Sequence, residues 1–309
     1  MKRCFRPTNL RDASLAMISQ CNTIITRYQA QGLRLTLRQL YYQLVSRNVV
    51  PNTERSYKRV GGILSDGRLA GLVDWNAIED RGRPPIMQSQ WRNLEGLAKS
   101  ALSAYRLPRW AGQEFYVELW VEKQALAGVL EPIAEEFHVP LIVNKGYSSQ
   151  SAMYESARRL TQSDAPYTEM RTKVVLYMGD HDPSGEDMVR DVRARLEMFD
   201  VQQLRVKKIA LTTAQVEEFN PPPNPAKMTD SRAEKYVEKH GHNSWEMDAL
   251  DPEELVRIVR REIALVLDTE KMDVVIKREK KDKAALLKAV GKLPDSEDLI
   301  EKLEARKDP

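Results

Sequence analysis

The stretch KVVLYMGDHDPSG, from Lys173 to Gly185, decides how this chain is read. Its first half is a short apolar run, the pattern of a strand buried on both faces. Its second half breaks into Gly179, two aspartates at i and i+2, Pro183 and Gly185. That is a tight turn leading into a helix expected over Ser184 to Phe199, with Ser184 as a possible cap. Residues two apart in an extended segment project to the same side, so Asp180 and Asp182 are positioned to face one ion.

Outward from this stretch the same rhythm repeats. Strands are expected at Glu114 to Val121, Pro140 to Asn144 and Leu204 to Leu211. Helices are expected at Gln124 to Phe137, Ser149 to Thr161 and Asp251 to Leu267. Strands alternating with helices imply a mostly parallel sheet covered by helices on both faces, with chemistry at the carboxyl ends of the strands. Glu122 ends one expected strand, and Asp180 and Asp182 follow another. Three hard oxygen donors without His or Cys suit Mg²⁺, with Mn²⁺ able to substitute. Taken alone, Asp-x-Asp-Pro-x-Gly is equally a surface turn. Pro221 to Pro225 cannot be helical, and from Lys271 the chain is charged and lightly apolar with helical patches.

The segment before the first strand has a different character. Asn9 to Gln31 carries apolar residues at helical spacing and stops at Gly32. Thr36 to Gln39 has the capping-box pattern, opening a helix to about Asn48. A third helix runs from Thr53 to about Ala70, and Val73 to Arg83 reads as a β-wing. A further helix covers Gln90 to Tyr105. Three short helices and a wing describe a winged-helix DNA-binding domain. The domain reading is therefore 1–110 for this module, 111–270 for the α/β module and 271–309 for a charged, helical tail.

Charge supports the division. The +3 net charge of the 309 residues hides 18 Lys+Arg against 7 Asp+Glu up to Ala111, and 30 against 38 after it. A basic module beside an acidic one suits a polyanion binder joined to something that needs carboxylates. Candidate phosphate contacts are Arg34, Arg47, Arg55, Lys58, Arg59 and, in a Lys-Gly-Tyr turn, Lys145. Two cysteines give no disulfide framework or zinc site, and the pair His240 and His242 reads as solvated. No apolar run suits a membrane span or a signal peptide, so a cytoplasmic, nucleoid-associated location without membrane partners is expected.

The second helix, TLRQLYYQLVS over Thr36 to Ser46, carries the remaining candidates. Leu37, Leu40, Tyr41, Leu44 and Val45 form one apolar stripe. Tyr42 lies off it, with Arg38 one turn back on the same side, so Tyr41 is expected in the core and Tyr42 exposed beside a guanidinium. A phenol is a weak nucleophile until a base or cation helps it, and Arg38 is placed to favour the phenolate and hold a phosphate. Two aromatics packing in a helix interface is the plain alternative.

Together these pieces resemble the A subunit of topoisomerase VI and its meiotic double-strand-break relatives. The resemblance rests on Arg38-x-x-Tyr41-Tyr42, Val121-Glu122-Lys123, Asn144-Lys145-Gly146-Tyr147, Asp180 to Gly185 and Trp245 to Leu250. It spans about Arg34 to Leu267 and is nearest to compact, stand-alone homologues of mobile genetic elements. It implies a Toprim domain, Glu122, Asp180 and Asp182 as Mg²⁺ ligands, and Tyr42 as the nucleophile that leaves a 5′-phosphotyrosyl link on double-stranded DNA. It also implies a homodimer in which Tyr42 of one protomer meets the metal site of the other. This chain has no ATP site, so strand passage would need a separate ATPase B subunit. The rival readings are a Toprim nuclease using metal-activated water and a non-catalytic DNA-binding homologue.

Overall fold

In a computed structural model, residues 2–78, 88–144, 148–161, 171–226 and 229–290 are described. The helices in chain order are α1 (Asp12–Gln29), α2 (Leu37–Ser46), α3 (Glu54–Leu69), α4 (Leu94–Ala104), α5 (Ala127–Phe137), α6 (Gln150–Thr161), α7 (Pro183–Met198), α8 (Thr213–Phe219), α9 (Ala233–His240), α10 (Pro252–Ala264) and α11 (Thr269–Val290). The strands are β1 (Phe115–Val121), β2 (Leu141–Val143), β3 (Thr172–Met178), β4 (Leu204–Ala210) and a small antiparallel pair, β5 (Asn224–Pro225) with β6 (Asn243–Ser244). A 3₁₀ turn spans Met247–Ala249.

The fold is mixed α/β, built on a four-stranded sheet in the order β2-β1-β3-β4 with every neighbouring pair parallel. The expected parallel sheet covered by helices is therefore present. On one face Trp120, Val175 and Tyr177 pack with Met153, Ala157 and Leu160 of α6 and with Met188, Val192 and Leu196 of α7. Across the sheet α10 packs on α5 and β4. Burial on both faces is why β1 and β3 are almost continuously apolar. The charged exceptions are Lys173, buried in β3, and Glu118, fully buried in β1. The second is well satisfied. It accepts from the Trp120 indole (2.8 Å), the Tyr116 hydroxyl (3.2 Å) and the Arg159 guanidinium (2.7 and 3.0 Å), which ties α6 to the sheet.

Helices α1, α2 and α3 share a core of Ile18, Cys21, Ile25, Tyr28, Leu40, Leu44, Val60 and Leu64. The capping box at Thr36 and Gln39 forms as expected, with both reciprocal bonds in place. The expected wing lies partly outside the described residues. Its described part, 73–78, makes one isolated parallel bridge between Leu35 and Ile78.

Contacts group the chain into two compact units that cut across the segments 1–110, 111–270 and 271–309. One unit joins Met1–Arg83 to Glu114–Val266, so the three-helix segment and the sheet belong together. The reason is that α2 packs against the 3₁₀ turn at Met247–Ala249, and Val129 and Ala249 enter the core of the helices. The other unit joins Pro84–Gln113 to Leu267–Pro309, and within it α4 packs on α11. There Glu279 of α11 accepts from Arg109 (2.9 and 3.1 Å), Lys283 (2.9 Å) and the Leu107 amide (3.0 Å). Burial opposes its charge, but those hydrogen bonds prevail and hold its carboxyl down to about 2. Within the stretch read as helical patches, Thr269–Val290 form one 22-residue helix, in which Lys283 pairs with Glu279.

Gly179 and Gly185 both lie outside the positive-φ residues, so their value is room rather than backbone freedom. A Cβ on Gly185 would sit 2.2 Å from the Asp180 carbonyl oxygen. Gly185→Ala is therefore expected to destabilise the protein by about 2–3 kcal/mol, the scale of overpacking beside fixed backbone. Urea denaturation of the purified chain measures it.

Candidate functional site

The register of β1 on β3 builds the site. Val121 pairs with Met178, so the residues that follow, Glu122 on one strand and Gly179-Asp180 on the other, emerge side by side. The Glu122 amide donates to the Met178 carbonyl (2.9 Å), and Glu122 Oε2 lies 3.4 Å from the Asp180 amide. A Cβ at position 179 would meet Tyr177 Cε1 at 2.7 Å and Glu122 Oε2 at 2.8 Å, so any larger residue there would displace those side chains. Asp182 caps α7 by accepting from the Gly185 amide (2.6 Å). The cap expected of Ser184 thus belongs to Asp182, since Pro183 occupies the first helical position.

The acidic group is larger than the three expected residues. Glu246, just before the 3₁₀ turn, and Asp248, within it, join it through Lys123. The Lys123 ammonium lies 2.7 Å from Asp180 Oδ2, 3.1 Å from Glu246 Oε2 and 3.4 Å from Asp248 Oδ2. Asp180 Oδ1 accepts from the Met247 amide (2.8 Å). From the other side Arg38 on α2 donates to Glu246 through Nε (3.0 Å) and Nη2, and approaches Asp248 at 3.5 Å. Two cations are thus set among three carboxylates, with Asp248 fully buried between them.

The charges respond accordingly. Burial and the neighbouring Asp180 and Asp182 push Glu122 up to about 7. Burial raises Asp180 and Asp248 against the pull of Lys123. Burial also opposes the charge on Glu246, but Lys123 and Arg38 outweigh it and its carboxyl is lowered. For Lys123 and Arg38 burial acts against the charge, and the surrounding carboxylates overcome it and raise both.

Tyr42 corrects an expectation. It is 3% exposed, as buried as Tyr41 at 4%. A helical wheel sees only one protein surface, and here the face opposite the apolar stripe is covered by the segment around Glu246 and by Asn224. Gln39 and Gln43 on α2 are buried as well. The Tyr42 hydroxyl accepts from Asn224 Nδ2 (3.3 Å), and Arg38 lies 5.8 Å from its ring centre, so the expected pairing of Arg38 with Tyr42 exists. Both line a cavity of about 220 Å³ with Tyr41, Tyr57, Asn52 and Glu246. Burial raises the Tyr42 phenol, and the opposing pull of Asn224, Arg38 and Lys123 does not reverse it. Arg38 therefore does not produce a phenolate in this arrangement.

The three expected metal ligands fit a hard cation in kind, being all oxygen. They do not bring one oxygen each within 4.8 Å of the others. Among the described residues that spacing is met by His181, Glu186 and His240. Asp180 is held by Lys123 and Met247, and Asp182 by its cap, so a shared ion requires Lys123 to yield Asp180. Of the expected phosphate contacts, Arg34, Arg47, Arg55, Lys58 and Arg59 are exposed, although Lys58 pairs with Glu54 (2.7 Å) and Arg47 with Gln43. Lys145 lies outside the described residues. Glu246 and Asp248 carried a sequence signal, an acidic i, i+2 pair, but Asn224 in a proline-rich loop carried none.

No protein-family model and no curated protein matches this chain. No helix among the described residues is long and apolar enough to cross a membrane.

Removing Lys123 strands buried carboxylates. Lys123→Met is expected to cost about 3–5 kcal/mol in urea denaturation, with part recovered in Lys123→Met/Asp180→Asn. Glu122 gives a pH dependence. Its folded-state pKa exceeds its unfolded value of 4.5, so the folded chain binds the proton more tightly and stability falls as pH rises from 4.5 to about 7. In EDTA the wild type should lose up to about 3 kcal/mol across that window relative to Glu122→Gln. Denaturation midpoints of the two proteins at pH 5 and pH 7.5 provide the comparison.

Proposed function

We propose that this chain is a Mg²⁺-dependent DNA transesterase of the topoisomerase VI A-subunit kind, with α1 to α3 as a winged-helix DNA-binding module and the parallel sheet as a Toprim domain. The observation that carries the reading is one chain of contacts. It runs from the Tyr42 ring to Arg38, through Glu246 and Lys123 to Asp180, and on to Glu122. Within one protomer a candidate nucleophile and a strand-end carboxylate cluster thus share one charge network, whereas the resemblance pairs Tyr42 with the metal site of the partner protomer.

In this reading Glu122, Asp180 and Asp182 hold the cation. When bound, it supplies electrostatic stabilisation of charge developing on the phosphate. The exposed Arg34, Arg47, Arg55, Lys58 and Arg59 grip the DNA backbone, which gives steep salt dependence and little sequence preference. Phosphate competes with Glu246 for Arg38, a planar fork suited to two phosphate oxygens. With Arg38 released from Glu246, its charge favours the Tyr42 phenolate. The Tyr42 oxygen then forms a bond to phosphorus, the bond from phosphorus to the 3′ oxygen breaks, and that oxygen takes up a proton to leave a 3′-hydroxyl. No electrons are exchanged. A homodimer would cut both strands, and strand passage would call on an ATPase partner.

The burial of Tyr42 favours a second reading, in which the carboxylate cluster serves a water-using nuclease and Tyr42 is a packing residue. The two part cleanly on end chemistry. Supercoiled plasmid is incubated with the protein and Mg²⁺ or Mn²⁺, denatured, and assayed for protein bound covalently at 5′ ends. The transesterase reading expects such an adduct, absent in Tyr42→Phe. Cleavage to free 5′-phosphates that survives Tyr42→Phe would establish the nuclease instead.

A further inference from the structure

His181 lies between the two aspartates of the site, yet its side chain faces elsewhere. One of its ring nitrogens, one of His240 and a Glu186 carboxylate oxygen all lie within 4.8 Å of one another. We propose that His181, Glu186 and His240 bind a single divalent transition-metal ion of the Zn²⁺ class, fastening α9 to the start of α7. The proposal is independent of the DNA reading.

The donor set separates this cluster from the carboxylates around Lys123. Two imidazoles and one carboxylate suit Zn²⁺ and its neighbours, whereas Mg²⁺ prefers oxygen alone. Three protein ligands leave a fourth position for water. The ligands also come from elements already fixed. His181 is 1% exposed and exchanges both backbone hydrogen bonds with Trp245 (2.9 Å each). Glu186 stands in the first turn of α7, and His240 in the last turn of α9, half-buried. The two imidazole centres are 4.7 Å apart at 87°, which turns one ring edge-on to the other.

The surroundings already orient these side chains as ligands. His181 Nδ1 is 2.8 Å from the Tyr236 hydroxyl, and Nε2 is 3.0 Å from Thr213 Oγ1. Whichever nitrogen takes the ion, the other keeps a hydroxyl partner, the outer contact that fixes a ligating ring. Tyr236 is itself anchored, its hydroxyl 2.9 Å from the His181 carbonyl and 3.0 Å from that of Asn243. Lys208 binds Glu186 Oε1 at 2.7 Å, which orients the carboxylate. Lys208 also binds the Asp180 carbonyl (2.7 Å), so an ion here would stiffen the loop that carries both aspartates.

The test uses the full chain, stripped with EDTA, dialysed free of chelator and titrated with Co²⁺ as a spectroscopic probe for the Zn²⁺ class. The wild type should bind one equivalent with visible d–d bands that excess Mg²⁺ does not remove and Zn²⁺ does. His240→Ala and Glu186→Gln should abolish the bands, while Glu122→Gln retains them. Tyr236→Phe should weaken binding by roughly 10–100-fold, as loss of an outer-shell partner does. Circular dichroism checks that each variant folds, and His240→Gln replaces His240→Ala if that one does not. Absence of one-equivalent binding in the wild type, bands unchanged in both ligand variants, or bands lost in Glu122→Gln would each overturn the proposal.

Discussion

An ammonium group seated among carboxylates organises this molecule. Lys123 stands two residues after β1, close to where the sheet fixes the chain, and it reaches Asp180, just after β3, and the Glu246–Asp248 segment at once. Carboxylates this buried repel one another and are costly to ionise unless a cation stands between them. Lys123 supplies that cation from below and Arg38 from α2 above. The same arrangement that stabilises the strand ends therefore joins the helical segment to the sheet. It also explains why the contacts divide the chain as they do: α2 cannot leave the 3₁₀ turn without separating Arg38 from Glu246.

That network gives the Tyr42 pocket its character. A phenol that is buried, bonded to Asn224 and overlooked by an arginine already committed to Glu246 is held in its protonated form. The arrangement has a resting quality, in which each candidate group is satisfied by a neighbour. In the proposed function an anion entering the pocket would compete with Glu246 for Arg38, and a cation near Glu122 would compete with Lys123 for Asp180. Each exchange would swap one set of charges for another, the electrostatic preorganisation that the proposed phosphate chemistry would require.

Much of the fold was legible in the chain. The alternation of apolar runs with helical spacings specified the strand–helix order, because strands buried on both faces must be apolar throughout. The capping box at Thr36 and Gln39 was equally plain, since it depends only on residues three apart. The small elements were not. Helices α8 and α9 and the pair β5 and β6 are too short to establish a period, and they are held by contacts such as the Tyr236 hydroxyl on the Asn243 carbonyl.

The sequence by itself determined that Glu122, Asp180 and Asp182 would stand at strand ends, and that Arg38 would lie one turn from Tyr42. Those relations follow from the periodicity of single elements, which is local, whereas the pairing of β1 with β3 is not. Only the tertiary structure decided that Tyr42 is buried, that Lys123 and Glu246 complete the cluster, and that His240, read as solvated, is half-buried against His181. Each of these depends on which surface covers a given face, and no spacing along one element records what packs against it from a distant part of the chain.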